Sequence, residues 1–427
     1  MDTIGESVQP HHLFTDRMNR QEQPWICCQL GARMHYAVPR ILWDAKRLSR
    51  LYTDICAVRG WPRLARLTPS FVQPMGLRRL LGRVPKGIPR SRVAAFTSFG
   101  WEYARRRGAV SSVSQLTAVH LWAGQRFCEL ILEADHEEGA AIYGLNSACF
   151  ELLRERRQQG CFTVVEQTIA PRRIEHQLLQ VEELHYSDWQ SPTLHDENAE
   201  AFVRREAAEW AEASLIVCGS QFVKDSIANC GGPVERCIVV PYGIDGTFKV
   251  MRGERPSSGP LRVLTVGEVG LRKGAPKVFE VAQHLKGRAV FRWVGPISLL
   301  PAARERLGSV IELTGPVPRT EIHPYFSWAD VFFLPSICEG SATVTYEALA
   351  AGLPVITTPN AGSIVEDGVS GFLIPPSETA LMGETLVRLA LDHMALSKMR
   401  AAALERAQFG SYAAYAQRLH TALLNPY

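Results

Sequence analysis

The sequence predicts an α/β protein of two domains, each built on a parallel sheet. At 427 residues the chain is too long for one ordinary hydrophobic core and suits two domains of roughly 200 residues. Short apolar runs rich in β-branched and aromatic residues alternate with helical patterns, as in parallel sheets covered by helices. Residues 251–260 are enriched in Pro, Gly and Ser, which predicts a hinge between the halves.

Five apolar runs predict the strands of the first half: 24–30, 140–145, 161–166, 214–219 and 237–242. Gly31 follows the first run at once, and a glycine there lets the backbone turn tightly or approach a ligand. His35 comes next, ahead of an amphipathic basic helix that we expect to begin near Arg40. We therefore predict that Gly31 and His35 lie at a cleft edge, although a single histidine is more often structural.

The second half repeats the pattern, with predicted strands at 261–267, 289–295, 310–315, 331–334 and 355–358. After the fourth strand, Ser341 is predicted to cap a helix that runs to Ala351. In doubly wound sheets a loop of this kind, at the carboxyl end of a strand, binds phosphate-bearing ligands. Glu339 then lies in this ligand-binding loop, at the carboxyl end of the strand. Glu347, about two turns into the helix, is placed to meet another part of one extended ligand.

The residues from Glu339 onward carry a resemblance to a known family. The stretch E-G-S-x-x-V-x-x-E-A-L-A-A-G-L-P-V-I, followed by G-x-x-G-F-L-I-P-P, resembles the donor-site signature of the retaining glycosyltransferases of family 4. The likeness is detailed over about 261–376 and weaker elsewhere. It implies the GT-B architecture, in which two Rossmann-like domains face each other across a cleft and a C-terminal helix crosses back to the first domain.

The resemblance implies roles for particular residues. Glu339 would lie by the donor sugar, Glu347 would bind the nucleotide ribose, and Lys273 would meet the diphosphate. Positive charge at the start of a helix opposes the helix dipole, and a bound diphosphate would offset that cost at Lys273. Arg272 is expected to assist. The remaining predicted donor-binding residues are Gly267, Gly315, Gly340, Ser341, Ala342 and Thr343.

The chain departs from the family pattern at two places. Glu268 stands where the family usually has an arginine, so either Arg272 supplies the missing charge, or Glu268 turns away, or the donor site is altered. Family members also commonly have a histidine just after the strand at 161–166. This chain has Glu166 and Gln167 there and His176 further on. His176 is kept as a candidate cleft residue.

The predicted chemistry is transfer of a sugar from a nucleotide-diphosphate sugar to a saccharide, lipid or small-molecule acceptor. Fixed positive charge would stabilise the leaving diphosphate. No D-x-D triplet occurs, so a metal-dependent route is unsupported, and we expect no metal site and no cofactor beyond the donor. A phosphorylase or epimerase of the same architecture is one alternative. A non-catalytic sugar-nucleotide-binding or membrane-associated subunit is the other.

The composition predicts the class of protein and its cellular compartment. The chain is 46% hydrophobic and 21% charged, which is typical of a globular enzyme. We find no apolar run of transmembrane length, no secretion signal and no C-x-x-C pair among the ten cysteines. These features predict a cytoplasmic protein with reduced thiols. Domains are predicted at 1–250 and 261–410, joined by the hinge at 251–260, with 411–427 as the returning helix.

The first quarter of the chain is basic. Residues 1–110 hold 19 Lys or Arg and 7 Asp or Glu, a net charge of +12 against +4 for the whole chain. This favours either an anionic membrane surface or an acidic acceptor, or else a solvated basic face. Within 61–107, Leu77 to Leu81 with the neighbouring arginines could lie in a membrane interface, or the segment could pack on the first domain. Nucleic acid is not an expected partner.

Overall fold

The computed structural model describes residues 23–69, 73–192, 196–245, 248, 250 and 259–425. Residues 1–22 lie outside the described residues. So does most of the predicted hinge, residues 251–258. The described residues form two parallel sheets with helices around them, one sheet between residues 25 and 239 and the other between 261 and 373.

The first sheet has seven strands in the order β3-β2-β1-β4-β5-β6-β7, all parallel. Its strands are β1 Trp25–Gln29, β2 Leu48–Thr53, β3 Val93–Ala95, β4 Ala141–Leu145, β5 Thr163–Gln167, β6 Leu215–Cys218 and β7 Cys237–Val239. Its helices are α1 Ala37–Asp44, α2 Gly60–Ala65, α3 Met75–Leu81, α4 Thr97–Gly108, α5 Val113–Ala134, α6 Phe150–Gln158, α7 Arg172–His185, α8 Ala199–Glu212 and α9 Gln221–Asn229.

The second sheet has six parallel strands in the order β10-β9-β8-β11-β12-β13. Its strands are β8 Leu261–Val266, β9 Ala289–Val294, β10 Glu312–Gly315, β11 Val331–Leu334, β12 Val355–Thr357 and β13 Gly371–Leu373. The helices of this half are α10 Ala275–His284, α11 Pro301–Gly308, α12 His323–Trp328, α13 Thr343–Ala350, α14 Thr379–Leu391, α15 His393–Phe409 and α16 Tyr412–Leu424.

In each half the sheet lies between two apolar layers, because the side chains along its strands alternate between the two faces. On β1, Cys27 faces one apolar cluster and Cys28 faces another on the opposite side of the sheet. On β11, Phe332 and Phe333 divide in the same way between two clusters. Because successive side chains of a strand point to opposite faces, these buried runs are covered on both sides. The predicted fold class, two Rossmann-like domains with parallel sheets, is confirmed.

The predicted return of the C-terminal helix is also confirmed. α16 leaves the second half and packs beside the end of the first sheet. The ring of Tyr415 lies edge-on to that of Tyr242 with centroids 5.9 Å apart. The guanidinium of Arg418 donates to the carbonyl oxygens of Pro241 at 2.9 Å and Tyr242 at 3.1 Å. This helix therefore ties the two halves together along one side.

Two local expectations were wrong. The helix expected near Arg40 is α1, Ala37–Asp44, but the predicted strands omitted β2, which begins at Leu48 and whose Arg50 and neighbours face partly outward and obscure the strand pattern. Ser341 is not the cap of α13, which begins at Thr343 after Ala342 with no side-chain cap. The Ser341 hydroxyl instead lies 2.7 Å from the hydroxyl of Tyr346 and donates to the Gly362 carbonyl at 3.0 Å.

Two global properties of the described residues bear on the sequence predictions. None of the helices in the described part of the chain is both long enough and apolar enough to cross a membrane. All ten cysteines carry free thiols, and nine of them are buried.

Candidate active site

A cavity of about 670 Å³ separates the two halves. Each sheet contributes the loop after its first strand in sequence, β1 in the first half and β8 in the second, where the strand order changes direction. Ligands of open parallel sheets bind at such positions, beyond the carboxyl ends of the strands. The start of α13 and Tyr412 of α16 complete the wall. The fold therefore brings both switch points to one cleft.

Two cations and one carboxylate meet on the second-half wall of the cleft. The Lys273 ammonium lies 2.6 Å from Oε1 of Glu339, and the Arg272 guanidinium donates to the same oxygen at 2.8 Å. Both cations come from a single turn after β8, and Glu339 follows β11. Gly267 makes room, because a Cβ at that position would lie 3.2 Å from Cε of Lys273. The structure thus unites these four predicted residues.

The charges of this trio do not cancel. Burial opposes ionisation of Glu339, but Lys273 and Arg272 more than offset it and lower the pKa of this carboxyl below its ordinary value. Burial, and then the neighbouring Arg272, lower the pKa of Lys273 despite the attraction of Glu339. One carboxylate facing two cations leaves a net positive charge in a largely buried place. That arrangement favours a bound anion.

The loop from Glu339 to α13 touches the first half directly. A Cβ at Gly340 would lie 1.9 Å from the carbonyl oxygen of Thr168, so only a glycine fits this approach. Four of the predicted donor-binding residues, Gly340, Ser341, Ala342 and Thr343, line the cavity. The backbone N–H groups in the first turn of α13 have no partners within the helix, which favours an anion there.

A second carboxylate lies deeper along the same wall. Glu347 is buried on α13, and its Oε1 is 2.5 Å from the guanidinium of Arg319. Burial raises the pKa of Glu347, and Arg319 only partly opposes that shift. Arg319 was not predicted. It comes from a turn after β10 and is 59% exposed, so no local sequence pattern marks it as a cleft residue.

The facing wall carries a strained loop. Met34, His35 and Tyr36 all have positive φ, at 47°, 52° and 59°, a conformation that non-glycine residues rarely adopt. The side chain of Gln29 holds the loop by donating to the carbonyl oxygens of Gly31 at 3.1 Å and Arg33 at 2.9 Å. Strain that is held in place by such bonds is characteristic of functional sites.

His35 lines the cavity from this loop. Burial, followed by the charges of Arg319 and Lys86, lowers the pKa of His35, so its imidazole is neutral at neutral pH. Gly31 lies behind the wall, where its N–H donates to Oδ1 of Asp54 at 3.0 Å. Gly31 has φ +75°, which suits glycine.

The other predicted residues lie away from the main cavity. Gly315 ends β10 and accepts a hydrogen bond from Gly295 N–H at 3.0 Å, outside the cavity lining. His176 lines a smaller neighbouring cavity of about 200 Å³, which also contains Arg272, Lys273 and Glu268. Glu268 accepts a hydrogen bond from Ser298 and is absent from the lining of the main cleft. Glu268 therefore bonds away from the main cleft, while Arg272 lies in it beside Lys273.

Glu166 and Gln167 occupy the place, just after the predicted strand at 161–166, where the family commonly has a histidine. Glu166 is buried and accepts hydrogen bonds from Tyr143 at 2.6 Å and Tyr242 at 2.7 Å. Gln167 donates to Glu206 at 2.9 Å. Both side chains are committed to the interior, and the following residues, Thr168 and Ile169, face the cavity instead. Among the described residues, no group of three His, Cys, Asp or Glu side chains could hold a metal ion.

The fold and this cleft define the GT-B class of architecture. Residues 260–392 match the family model described as "Glycosyl transferases group 1". The chain is similar to WcaL of Salmonella typhimurium, whose name assigns it provisionally as a colanic acid biosynthesis glycosyltransferase, with 30% identity over 42% of this chain and 48% of that protein. It is 28% identical to the amylovoran biosynthesis glycosyltransferase AmsK of Erwinia amylovora over the same shares. The chain spans about half the length of the curated relatives it matches.

Solved structures extend the likeness to nearly the whole chain. Anabaena HepE in complex with UDP and glucose superposes with a TM-score of 0.58 at 16% identity, covering 94% of this chain and 99% of that one. Sucrose-phosphate synthase of Thermosynechococcus elongatus gives 0.62, also at 16% identity, over 94% and 98%. At this identity the likeness concerns the fold. The predicted GT-B architecture is thereby confirmed, and the match to glycosyl transferases group 1 extends over residues 260–392.

Proposed function

We propose that the protein is a glycosyltransferase that moves a sugar from a nucleotide-diphosphate sugar to a saccharide or lipid-linked acceptor in polysaccharide or glycolipid biosynthesis. The observation that carries this proposal is the buried trio of Lys273, Arg272 and Glu339, with its surplus positive charge beside the start of α13. The match of residues 260–392 to glycosyl transferases group 1 and the names of the relatives support the same activity.

In this proposal the diphosphate binds at the cationic turn. It would draw Lys273 and Arg272 away from Glu339, because a diphosphate offers more negative charge than one carboxylate. The freed carboxylate then faces the sugar, whose ring becomes positively charged as the bond to phosphate breaks. Once they face the diphosphate, these cations and the helix N–H groups stabilise the departing phosphate. Glu347, after exchanging Arg319 for a ribose, anchors the nucleoside.

The finer assignments also belong to this proposal. We assign the chain to family 4 and expect retention of the anomeric configuration, as the resemblance implies. We expect transfer without a metal ion, because two side-chain cations already face the proposed phosphate position. We place the protein in the cytoplasm, with its basic first quarter at an anionic membrane surface. UDP is the first nucleotide to test, since it is bound in the HepE structure.

A two-stage experiment tests the function. A panel of sugar nucleotides is screened by thermal shift, where a ligand at 100 times its Kd should stabilise the fold by about 2.7 kcal/mol. Each hit is then incubated with saccharide and lipid-linked acceptors, with and without EDTA, and release of the nucleoside diphosphate is measured. Acceptor-dependent release that survives EDTA supports the proposal. Binding without release with any acceptor would instead indicate a non-catalytic binding subunit.

A further inference from the structure

One region of the first half exposes large apolar side chains side by side. Trp61 and Leu64 on α2, Leu67 just after it, and Trp101 on α4 are 42%, 68%, 83% and 59% exposed. We call these four residues the tryptophan surface. Single exposed apolar residues are ordinary, but a contiguous group with two tryptophans is a feature of interaction sites. No chemistry proposed for the cleft uses this group.

The local packing fixes these residues as one surface. The rings of Trp61 and Trp101 meet edge to face with centroids 6.0 Å apart. α2 begins against α4, since a Cβ at Gly60 would lie 2.7 Å from the Thr97 hydroxyl. Gly60 has φ +59°, so this close approach depends on glycine. The turn after α2 continues through a hydrogen bond from the Leu67 N–H to the Leu64 carbonyl at 3.0 Å, which keeps Leu67 beside α2.

Cations predominate around the tryptophan surface, and the carboxylate beside Trp101, Glu102, is paired with Arg106 at 2.7 Å. Residues 55–101 contain nine Lys or Arg and not one Asp or Glu. Two of the arginines, Arg63 and Arg66, are exposed and interleave with the apolar residues of α2. The other exposed cations of the stretch are Arg59, Arg78, Arg79, Lys86, Arg90 and Arg92. Apolar side chains with tryptophan, rimmed by arginine, match the boundary between lipid headgroups and acyl chains.

This surface differs from the one that the sequence suggested. The leucines of α3 are half-buried and so less exposed than the tryptophan surface: they are Leu77, Leu80 and Leu81. The arginines beside them are exposed. α3 therefore contributes charge, and the apolar contribution comes from α2 and α4. The sequence suggested a membrane contact at Leu77 to Leu81. The exposed apolar side chains instead favour a contact at Trp61 and Trp101.

A chain of contacts connects this basic region to the cleft. α2 follows β2 and α4 follows β3, so both helices begin at the same sheet edge as the strained loop after β1. Asp54, at the end of β2, accepts from the Gly31 N–H at 3.0 Å and from the Arg83 guanidinium, also at 3.0 Å. Arg83 of this basic region is thus tied to the wall that carries His35, and the two helices of the tryptophan surface begin at the same sheet edge.

We propose that the tryptophan surface docks the protein on a bilayer that contains anionic phospholipids. Trp61, Leu64, Leu67 and Trp101 enter the headgroup boundary, and the surrounding cations meet the lipid phosphates. Docking by this surface places the first-half wall of the cleft next to the membrane. The inference deepens the membrane placement in the proposed function and rests on it, by naming the residues and the class of lipid. It is independent of the transferase activity, because lipid binding requires neither a donor nor turnover.

The test is co-sedimentation of the full chain with phosphatidylcholine vesicles that contain or lack phosphatidylglycerol. We expect binding to the anionic vesicles, weakening as salt rises. A Trp61→Ser/Leu64→Ser/Leu67→Ser variant should lose about tenfold or more in affinity, and Arg63→Glu/Arg66→Glu should lose a similar amount. The matched control is Leu391→Ser/Met394→Ser, two residues that are 75% and 84% exposed in the other half and should leave binding unchanged.

Several outcomes would overturn the proposal. These are no binding of the wild type to anionic vesicles, equal binding to both vesicle types, or undiminished binding by both variants. Binding to heparin without binding to vesicles would also overturn it and indicate a soluble polyanion as the partner. The nucleotide-dependent thermal shift of each variant confirms that it is folded. Failure of vesicle binding with that shift intact would leave the glycosyltransferase proposal unaffected.

Discussion

The two walls of the cleft are organised differently. The second-half wall draws its charged groups from short segments at the ends of β8, β10 and β11, and they pair with one another: Lys273 and Arg272 with Glu339, and Arg319 with Glu347. The first-half wall has a strained loop, held from behind by Gln29 and Asp54, that presents a neutral imidazole. One wall is a charged socket, and the other is a shaped surface with little charge pairing.

This contrast indicates that the two walls of the cleft have different functions. A nucleoside diphosphate is the common part of many donors, and a fixed set of charges can bind it in any protein with the same turn and helix. An acceptor varies from one protein to another, and shape and hydrogen bonding set by a loop can change without disturbing the sheet. We therefore expect changes on the second-half wall to affect donor binding and turnover, and changes on the first-half wall to affect acceptor use.

The largest effect is expected at the trio. Lys273→Ala leaves Arg272 neutralised by Glu339 and so removes the surplus positive charge. Transfer should fall by about 10²–10³-fold, with weaker nucleotide binding. Glu339→Gln should lower transfer by a similar factor while nucleotide binding stays the same or tightens, because both cations become available. Initial rates and nucleoside diphosphate titrations measure the two quantities.

The exposed Lys286 in the same half supplies the control, since Lys286→Ala removes an equal charge at a distance from the cleft. Near-normal turnover in both trio variants, with the control also normal, would remove the proposed mechanism. Loss of the folded state in either one, seen by circular dichroism, would instead show that the trio is structural.

The next largest effect is expected where the walls touch. Gly340→Ala would place a Cβ 1.9 Å from the Thr168 carbonyl, so the loop carrying Glu339 or the loop after β5 must shift. A displacement of about 1 Å at a reacting centre can cost about 100-fold in rate. We expect transfer to fall by about that factor with the trio chemically intact. Gly308→Ala is the control, because its nearest neighbour would be 3.8 Å away. Equal rates for both variants would show that the contact is unimportant.

The division between the walls also explains what the sequence could predict. Glu339, Gly340 and Glu347 lie in one contiguous motif, and Lys273 lies six residues after the glycine that follows β8, so the motif and the family resemblance made them candidates. Arg319 joins Glu347 only through the folding of a turn 28 residues away in sequence. Its identity as a cleft residue depends on tertiary structure, and no periodicity reports that.

Other misses have similar causes. Ser341 has the residue type of a cap, but Tyr346 and Gly362 compete for its hydroxyl, and that competition arises only in the packed fold. β3 is a three-residue edge strand, too short for a period-two pattern. Glu268 could be noticed as unusual from sequence, but its direction depends on Ser298, 30 residues later.

A smaller effect, confined to the acceptor, is expected at the first-half wall. His35→Ala removes a neutral imidazole that can bond an acceptor hydroxyl, and we expect the acceptor KM to rise by about tenfold. The Kd for the nucleoside diphosphate should stay constant, since the donor contacts lie opposite. His420→Ala, an exposed histidine on α16, is the control. A parallel loss of nucleotide affinity in His35→Ala would assign this loop to the donor and end the proposed division.

The smallest expected effect is a pH dependence located at Glu347. Burial raises the pKa of Glu347, so on acidification this group takes up a proton before an exposed carboxyl would. The neutral acid is a weaker acceptor for ribose hydroxyls, so nucleotide affinity should be full at neutral pH and decline as pH falls toward about 5. One weakened hydrogen bond corresponds to about threefold to tenfold in Kd.

In the protein without nucleotide, Lys273 and Arg272 overcome the effect of burial on Glu339 and hold the pKa of its carboxyl below the ordinary value, opposite to the shift at Glu347. The nucleotide phosphate also titrates, and Glu347→Gln separates the two sources. This variant should bind the nucleotide more weakly than the wild type at neutral pH. The remaining change of its nucleotide affinity with pH should come from titration of the phosphate alone. Calorimetric titrations of wild type and variant from about pH 8 to about pH 5 provide the comparison. Parallel curves would mean that Glu347 does not hold the ribose, and the donor socket would then end at the trio.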